Sequence, residues 1–347
     1  MRRHRSPVAA LLSTAALLTG ALLAGALTAA APAVAAPGPP DDTGTAATAQ
    51  AAVRDVPAAE RQGAAEFWTA ERMRGATPLD LHPTPAQLDG AKAPEPGGKP
   101  TTVAPTAAPA TASEGAVGPL AFPQAGAPWT GGGAVVKTVG RVFFTFQGNA
   151  ASCSGNAVTS QNQSTVMTAG HCVKYQGSWH TDWVFVPGYD NGQAPYGQWP
   201  ATKTLTTPQW EASEDLNYDI GAAVVAPLNG QRLTAVTGAQ GIQFNSGYNK
   251  PMYAFGYPAA APYDGSRLIY CSGNSSRDFL FTQDHSLACN MTGGSSGGPW
   301  FTGFSEATGT GLQVSVNSFG YTFMPNRMFG PYFGNEAQAL YNTAQTS

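Results

Sequence analysis

The sequence is poor in charged residues and in cysteine. Only 11% of its 347 residues are Asp, Glu, Lys or Arg, and the formal net charge is −3. Because basic residues are sparse, there is no footprint for nucleic-acid binding, and we expect no nucleic-acid partner. The four cysteines form no C-x-x-C motif, and the histidines do not cluster. We therefore expect neither a metal site nor a cofactor.

The beginning of the chain has the pattern of an export signal. Three arginines among the first five residues precede an apolar run from Val8, and Ala33-Val34-Ala35-Ala36 supplies small residues for cleavage. This pattern predicts a secretory signal peptide over residues 1–36. An uncleaved anchor is the alternative, because the apolar run is long. We expect a secreted, extracellular protein with no stable membrane association after signal removal.

Residues 37–118 are rich in Ala, Pro, Thr and Gly and have few large apolar side chains. This composition favours a low-complexity pro-segment or linker without a core of its own. Residues 58–74 differ, because Phe67, Trp68 and Met73 lie among Glu and Arg residues, which suggests a short amphipathic helix. Two interpretations remain open: a pro-segment element that contacts the following domain, or a transient helix in a linker.

From residue 119 onward, aromatic residues and valine become frequent, and glycines recur every several residues. Many short strands separated by turns predict an all-β sandwich or barrel fold. The final stretch, Phe333–Ala344, predicts a short helix packed on the second half of the domain. The predicted strands are Val139–Phe146, Trp183–Val186, Thr202–Thr206, Ile220–Val225, Met252–Gly256, Leu268–Cys271 and Leu312–Val316.

Three separated segments carry side chains suited to nucleophilic catalysis. They are Thr168–Cys172 with His171, Asn217–Gly221 with Asp219, and Gly294–Pro299 with Ser296. A serine hydroxyl becomes a nucleophile when an imidazole takes its proton, and a buried carboxylate orients that imidazole. Asp219 directly precedes an apolar strand and is therefore preferred to Asp215, for which we expect a solvated position.

The other histidines and serines need separate treatment. We expect His180 in a surface strand or loop and His285 in an exposed turn. The Gly294–Gly298 segment also fits the G-x-S-x-G nucleophile elbow of α/β-hydrolases, and a window shifted by one residue would promote Ser295. That fold requires a histidine after the serine. No histidine follows His285, so the elbow interpretation is excluded.

In the order His, Asp, Ser, these segments resemble the chymotrypsin-like (trypsin-fold) serine proteases. The resemblance covers roughly residues 130–347 and is nearest to bacterial secreted enzymes of the glutamyl-endopeptidase (V8-like) subgroup. It implies two antiparallel six-stranded β-barrels, over residues 119–235 and 236–347, with the active site in the cleft between them. It also implies a monomeric serine endopeptidase that cleaves extended polypeptides through an acyl-enzyme.

The resemblance assigns roles to individual residues. Ser296 would be the nucleophile, His171 the general base and then acid, and Asp219 the orienting acid. The backbone amides of Gly294 and Ser296 would form the oxyanion hole. Ser318 would donate a hydrogen bond to Asp219. The walls of the specificity pocket would be Asn290, Met291 and Thr292 on one side and Ser318, Phe319 and Gly320 on the other, with Gly320 also pairing with the substrate backbone.

Four cysteines in an exported chain predict two disulfides, with three possible connectivities. The resemblance favours Cys153–Cys172 and Cys271–Cys289. Each bridge would close a loop of about 18 residues, which is worth roughly 3 kcal/mol in the chain-entropy model.

Three positions depart from better-known members of the class. Ser295 replaces the acid that pairs with a new N-terminus in trypsin-like zymogens, which favours maturation by removal of a pro-segment. Asn290 stands where trypsin-like enzymes carry an acid, so a preference for Lys or Arg has no support. Asn317 stands where the V8-like group has a histidine, which leaves a glutamyl preference open. The competing function is a catalytically degenerate protease-fold module that binds proteins.

Overall fold

The computed structural model describes residues 50–91, 95–106 and 120–347. The predicted signal peptide and the rest of the predicted linker lie outside the described residues. The helices are α1 (Ala58–Phe67), α2 (Ala70–Gly75), α3 (Pro85–Gly90), α4 (Val135–Thr138), α5 (Pro208–Ser213), α6 (Leu233–Thr237) and α7 (Asn335–Gln345). The strands are β1 (Ala52–Asp55), β2 (Thr77–Pro78), β3 (Thr101–Val103), β4 (Gln124–Pro128), β5 (Val139–Phe146), β6 (Asn149–Ala157), β7 (Thr165–Thr168), β8 (Lys174–Tyr175), β9 (Ser178–Trp179), β10 (Thr181–Pro187), β11 (Trp199–Thr206), β12 (Gly221–Val225), β13 (Gly241–Phe244), β14 (Pro251–Gly256), β15 (Ile269–Asn274), β16 (Ser276–Arg277), β17 (His285–Ala288), β18 (Pro299–Ser305), β19 (Thr310–Val316) and β20 (Arg327–Gly330).

The first half of the body is a closed barrel. Its strands follow the order β11, β10, β5, β6, β7 and β12, and pairing of β12 with β11 closes the ring. All six neighbouring pairs are antiparallel. The interior is filled by apolar side chains such as Val142, Phe144, Met167 and Leu205, each completely buried. The sequence predicts strands at β5, β10, β11 and β12 but none at β6 and β7.

The second half encloses its own core with two sheets. One contains β3, β13, β19, β18, β14, β15 and β4, and the other contains β16, β17 and β20. Met252, Trp300, Leu287 and Met328 come from both sheets and pack in one cluster. The pairing of β13 with β19 is parallel, whereas the other pairs in these two sheets are antiparallel.

The two halves are joined by buried polar contacts close to the predicted site. Asn156 Nδ2 in β6 donates a hydrogen bond to Gln313 Oε1 in β19 at 2.8 Å. The Ser154 backbone N–H donates to the Ser296 carbonyl oxygen at 2.7 Å. The turn of the second half that contains Ser296 therefore rests on a strand of the first.

Helix α7 forms where the sequence predicts it, but it packs mainly on the first barrel and only partly on the second half, where packing was expected. Its buried residues Leu340 and Tyr341 belong to the core cluster of the first barrel. The helix also contacts Phe244 of β13 through the Tyr341 ring, with 5.5 Å between the centroids. The periodicity of the helix marks its apolar face but does not say which sheet covers that face.

The described residues 50–91 and 95–106 pack on the body. Strand β1 pairs with β11 of the first barrel, and β3 pairs with β13 of the second half. Two helices, α1 and α2, occupy the stretch in which the sequence predicts an amphipathic helix. Trp68, after α1, is 1% exposed and donates from Nε1 to the Asp182 carbonyl oxygen at 2.6 Å. The segment thus adds buried residues to the cores of the body.

Candidate active site

His171 and Asp219 are held together by backbone and side-chain hydrogen bonds. His171 lies in a 3-10 turn after β7, and Asp219 ends a 3-10 turn before β12. The His171 backbone N–H donates to Asp219 Oδ1 at 2.7 Å, and His171 Nδ1 lies 2.7 Å from Oδ2. Both side chains are completely buried. The carboxylate therefore accepts from Nδ1–H and leaves Nε2 as the nitrogen available for proton transfer.

A third donor completes the surroundings of Asp219. Ser318 Oγ donates to Asp219 Oδ2 at 2.5 Å, which is the contact that the resemblance implies. Asp215 instead accepts from the backbone and side-chain N–H groups of Asn217 and caps a 3-10 turn. Of the two candidate acids, the structure thus brings Asp219 and not Asp215 to the histidine.

Ser296 lies in a tight turn packed against the histidine segment. Gly297 has φ of +80°, and a Cβ there would lie 2.1 Å from Thr168 Oγ1 and 2.4 Å from the Ser154 carbonyl oxygen. Only glycine fits this close approach. The Cys172 sulfur lies 3.6 Å from the Ser296 carbonyl oxygen. His171 Nε2 is buried without a hydrogen-bond partner among the described residues.

The predicted pocket residues surround one cavity of about 260 Å³ beside Ser296. The structure brings six of them together there: Asn290, Met291, Thr292, Ser318, Phe319 and Gly320. Several wall groups already have partners. Asn290 Oδ1 accepts from Tyr263 Oη at 2.6 Å, and Thr292 Oγ1 donates to the Ala260 carbonyl oxygen at 2.7 Å.

Ser295 and Asn317, which depart from the usual residues of the protease class, have hydrogen-bond partners close by. Ser295 Oγ donates to the Thr292 carbonyl oxygen at 2.7 Å. Asn317 Nδ2 donates to the carbonyl oxygens of Phe255 and Ser295, and its Oδ1 accepts from Trp300 Nε1 at 2.7 Å. Because both polar ends of this buried amide are used, the Asn317 side chain is not available to bind a substrate carboxylate.

Two histidines lie where the sequence did not predict them. His180 is completely buried, stacks on Phe144 with 4.2 Å between ring centroids, and its Nε2 lies 2.8 Å from the His171 carbonyl oxygen. His285 is also completely buried, in β17 next to Tyr248 and Tyr332. The prediction of exposed positions is wrong for both, because aromatic neighbours distant in sequence cover them. Burial lowers the pKa of each imidazole to about 3.

Ser154 is a site residue that sequence reasoning missed. Its Oγ donates to the Gly294 carbonyl oxygen at 2.9 Å and accepts from the Tyr257 backbone N–H at 2.9 Å. It therefore fixes the turn whose amides would form the oxyanion hole. The one feature of the sequence that could have indicated Ser154 is its position directly after Cys153, in a strand made mostly of small residues.

The structure contains the disulfides Cys153–Cys172 and Cys271–Cys289, the pairing that the resemblance favours. Within the described residues, the one group with the composition of a metal site is Cys153, His171 and Cys172. Both sulfurs are in the disulfide, and His171 Nδ1 is bound to Asp219. This group therefore offers no thiolate and does not fit a metal ion.

Solved structures resemble this arrangement over most of their length. The protease Anisep from Arthrobacter nicotinovorans is 46% identical, with 62% of this chain and 98% of that chain covered and a TM-score of 0.59. The thermostable serine protease AL20 from an extremophilic microorganism is 43% identical, with 62% and 99% covered and a TM-score of 0.58. A Glu endopeptidase shares the fold at 16% identity, with 65% and 98% covered and a TM-score of 0.51.

The chain belongs to the chymotrypsin-like (trypsin-fold) serine proteases, and its class is that of serine-type endopeptidases. Its two halves match the double-barrel fold of that class. With the Glu endopeptidase the chain shares the fold.

One curated bacterial protease is similar in sequence to part of the chain. An extracellular metalloprotease of Bacillus subtilis (strain 168) is 27% identical over 184 residues, which is 53% of this chain. The match spans 56% of that protein, so this chain matches about half the length of its curated relative. No family model matches the chain. None of the helices in the described ranges is long and apolar enough to cross a membrane.

Proposed function

We propose that this protein is a secreted serine endopeptidase that hydrolyses peptide bonds through an acyl-enzyme. Ser296 is the nucleophile, His171 the general base and then acid, and Asp219 the residue that orients the imidazole. The observation that carries the proposal is the arrangement at Asp219. Its carboxylate receives two N–H groups of His171 and the Ser318 hydroxyl, while the Ser296 turn packs on the same histidine segment.

In the proposed reaction these residues act one after another. Ser296 Oγ bonds to the substrate carbonyl carbon while its proton passes to His171 Nε2. The negative charge that develops on the carbonyl oxygen is stabilised by the amides of Gly294 and Ser296. His171 Nε2–H then protonates the leaving amine as the C–N bond breaks, and the acyl-enzyme forms. A water molecule repeats the sequence and releases the acid, which restores the Ser296 hydroxyl.

Secretion and the substrate class are part of the proposal. The two disulfides are compatible with an oxidising compartment, and the relative from Bacillus subtilis is named as extracellular. Extended polypeptides are the proposed substrates, because the edge of Ser318–Gly320 beside the pocket can pair with an added strand. The protein is proposed to work as a monomer, without a metal or cofactor in the reaction.

A fluorophosphonate probe tests the proposal on the secreted, processed protein. We expect covalent labelling that Ser296→Ala abolishes and that His171→Ala slows by about 10⁴-fold or more. Ser305→Ala is the matched control, since Ser305 lies at the end of β18, outside the site, and should be labelled like the wild type. A folded, processed protein that is never labelled would instead favour the degenerate, protein-binding module.

A further inference from the structure

We infer that residues 77–82 are a built-in inhibitor that lies in the active-site cleft in the direction opposite to a productive substrate. This six-residue stretch, Thr77-Pro78-Leu79-Asp80-Leu81-His82, is here called the cleft segment. The inference rests on the proposed function, because it concerns the same nucleophile and the same pocket. The inference adds the contact that would keep Ser296 and the pocket inactive before maturation.

The Leu79 carbonyl group takes the place of the substrate carbonyl. The Gly294 backbone N–H, one of the proposed oxyanion donors, donates to the Leu79 carbonyl oxygen at 2.9 Å. Ser296 Oγ lies 3.5 Å from the same oxygen. On the other side of the residue, the Leu79 N–H donates to the Ser152 carbonyl oxygen at 2.9 Å. A substrate carbonyl cannot reach the oxyanion donors while Leu79 is bound.

The residues on either side of Leu79 fix the segment in the cleft. Strand β2 (Thr77–Pro78) pairs in parallel with Ala151–Ser152 of β6, and Leu81 forms a parallel bridge with Phe319. The Leu81 side chain is completely buried in a cluster that includes Trp210 and Phe319. The cleft segment thus pairs with a strand of the first barrel and, through one backbone bridge, with Phe319 of the second half.

The direction of the segment follows from which residues reach the specificity pocket. In a productive complex that pocket takes the side chain that precedes the scissile bond, as the resemblance implies. Here the pocket is lined by Asp80 and His82, which follow Leu79 in the chain. The residues that precede Leu79 lie instead on β6, beside the Cys153–Cys172 disulfide that adjoins His171. The chain therefore runs backwards relative to a substrate.

Reversed binding explains how the segment blocks the site without being cut. If Ser296 attacked the Leu79 carbonyl carbon, the bond to the Asp80 nitrogen would have to break, and that nitrogen would need a proton from His171 Nε2. Asp80 packs against Gly293 at the pocket, where a Cβ on the glycine would lie 2.9 Å from the Asp80 Cβ. The leaving nitrogen is thus on the pocket side rather than on the side of β6, and the general acid cannot serve it.

The rest of the N-terminal segment holds the cleft segment in place. Before it, Met73 of α2 is 1% exposed and Trp68 is bonded to Asp182. After it, the Ala91 carbonyl oxygen accepts a hydrogen bond from Asn217 Nδ2 at 2.8 Å. Asn217 lies in the 3-10 turn that leads to Asp219. Contacts on both sides thus fix the position of Leu79 along the cleft.

The test measures the rate of fluorophosphonate labelling of Ser296 in the full chain. Leu81→Asp places a charge in a buried apolar cluster and should release the cleft segment, raising the labelling rate about tenfold or more over the wild type. Val53→Asp is the matched control, because Val53 lies in the same N-terminal segment but is 41% exposed. It should leave the rate unchanged. Leu81→Ala is a milder variant that answers the same question if Leu81→Asp does not fold.

The outcomes separate this inference from the proposed function. Equal, rapid labelling of the wild-type full chain and of a folded Leu81 variant would overturn the inference and leave the proposed function standing. No labelling of any form, including the processed protein, would overturn the proposed function. Mass spectrometry of the incubated full chain tests the direction: we expect the Leu79–Asp80 bond to persist, and a fragment that begins at Asp80 would show productive binding and contradict reversal.

Discussion

His180 Nε2–H donates a hydrogen bond to the carbonyl oxygen of His171 at 2.8 Å, so one buried histidine supports the backbone of another. Because the acceptor is a carbonyl oxygen, the proton must be on Nε2. Burial lowers the pKa of His180 to about 3, which keeps the ring neutral in this tautomer at ordinary pH. His180 is therefore a positioning residue for the proposed general base.

Replacing His180 should affect catalysis through His171. We expect His180→Phe to lower kcat about fivefold with little change in KM, since one hydrogen bond worth about 1 kcal/mol is lost. His180→Gln, which keeps a donor, should recover part of the loss. Steady-state kinetics on a peptide substrate checks this. An increase in KM alone for both variants would contradict a positioning role.

Ser318→Ala should make Asp219 less effective in its proposed role of orienting His171. The substitution removes one of the three donors to the Asp219 carboxylate. A hydrogen bond to a charged group contributes about 1.5–3 kcal/mol, so we expect kcat/KM to fall roughly tenfold to a hundredfold. Kinetics on the processed protein, with Ser305→Ala as control, provides the measurement; unchanged activity would show that Ser318 is dispensable.

Asn317 should matter for stability rather than for specificity. Its amide makes three hydrogen bonds to buried partners. Asn317→Leu leaves those partners unpaired and should lower the free energy of unfolding by about 3 kcal/mol or more. Urea unfolding monitored by fluorescence measures the loss. A folded, equally stable Asn317→His variant that gained strong glutamyl preference would contradict this assignment.

His285 should make the protein sensitive to acid. Its pKa falls from 6.5 to about 3 on burial, so the unfolded chain binds a proton that the folded chain does not bind between those values. The stability contributed by the neutral ring is complete above pH 6.5 and is lost as the pH falls toward 3, by about 1.4 kcal/mol per pH unit. His285→Phe should remove this share of the pH dependence and leave the share of His180, whose pKa burial also lowers to about 3.

Asp284 should act in the opposite direction. Its carboxyl is completely buried, and desolvation first, then the nearby Asp278, raises its pKa well above the usual value of 3.8. The folded state therefore keeps a proton that the unfolded state releases, so this group lowers stability as the pH rises above about 4. We expect the stability of Asp284→Asn relative to the wild type to increase from pH 4 to pH 8. A difference independent of pH would contradict this.

The sequence predicts the elements whose signal is local. Strand β5 has the predicted bounds, Val139–Phe146, because its residues alternate. The motifs around His171 and Ser296 mark two segments that the structure brings into contact. The burial of His180 and His285 was not predicted, since their aromatic neighbours are distant in the sequence. The same holds for the side of the body on which α7 packs. The spacing of apolar residues identifies the apolar face of a helix or strand, but it does not identify the element that packs against that face.

The cleft segment was also beyond sequence reasoning, for a different reason. The group that occupies the oxyanion position is the backbone carbonyl of Leu79, which every residue type possesses. No side-chain motif marks it, and its low-complexity surroundings favour a linker. Only the three-dimensional pairing with β6 and with Phe319 identifies its location.

The strands β1 and β3 stand on either side of the cleft segment in the chain, one paired with each half of the body. Covalent attachment gives such a segment a high effective concentration at its site. A single backbone cut after β3 removes that attachment but leaves both strand pairings intact. Activation would then be limited by dissociation rather than by cleavage, and dilution would raise the fraction of freshly cut enzyme that becomes active.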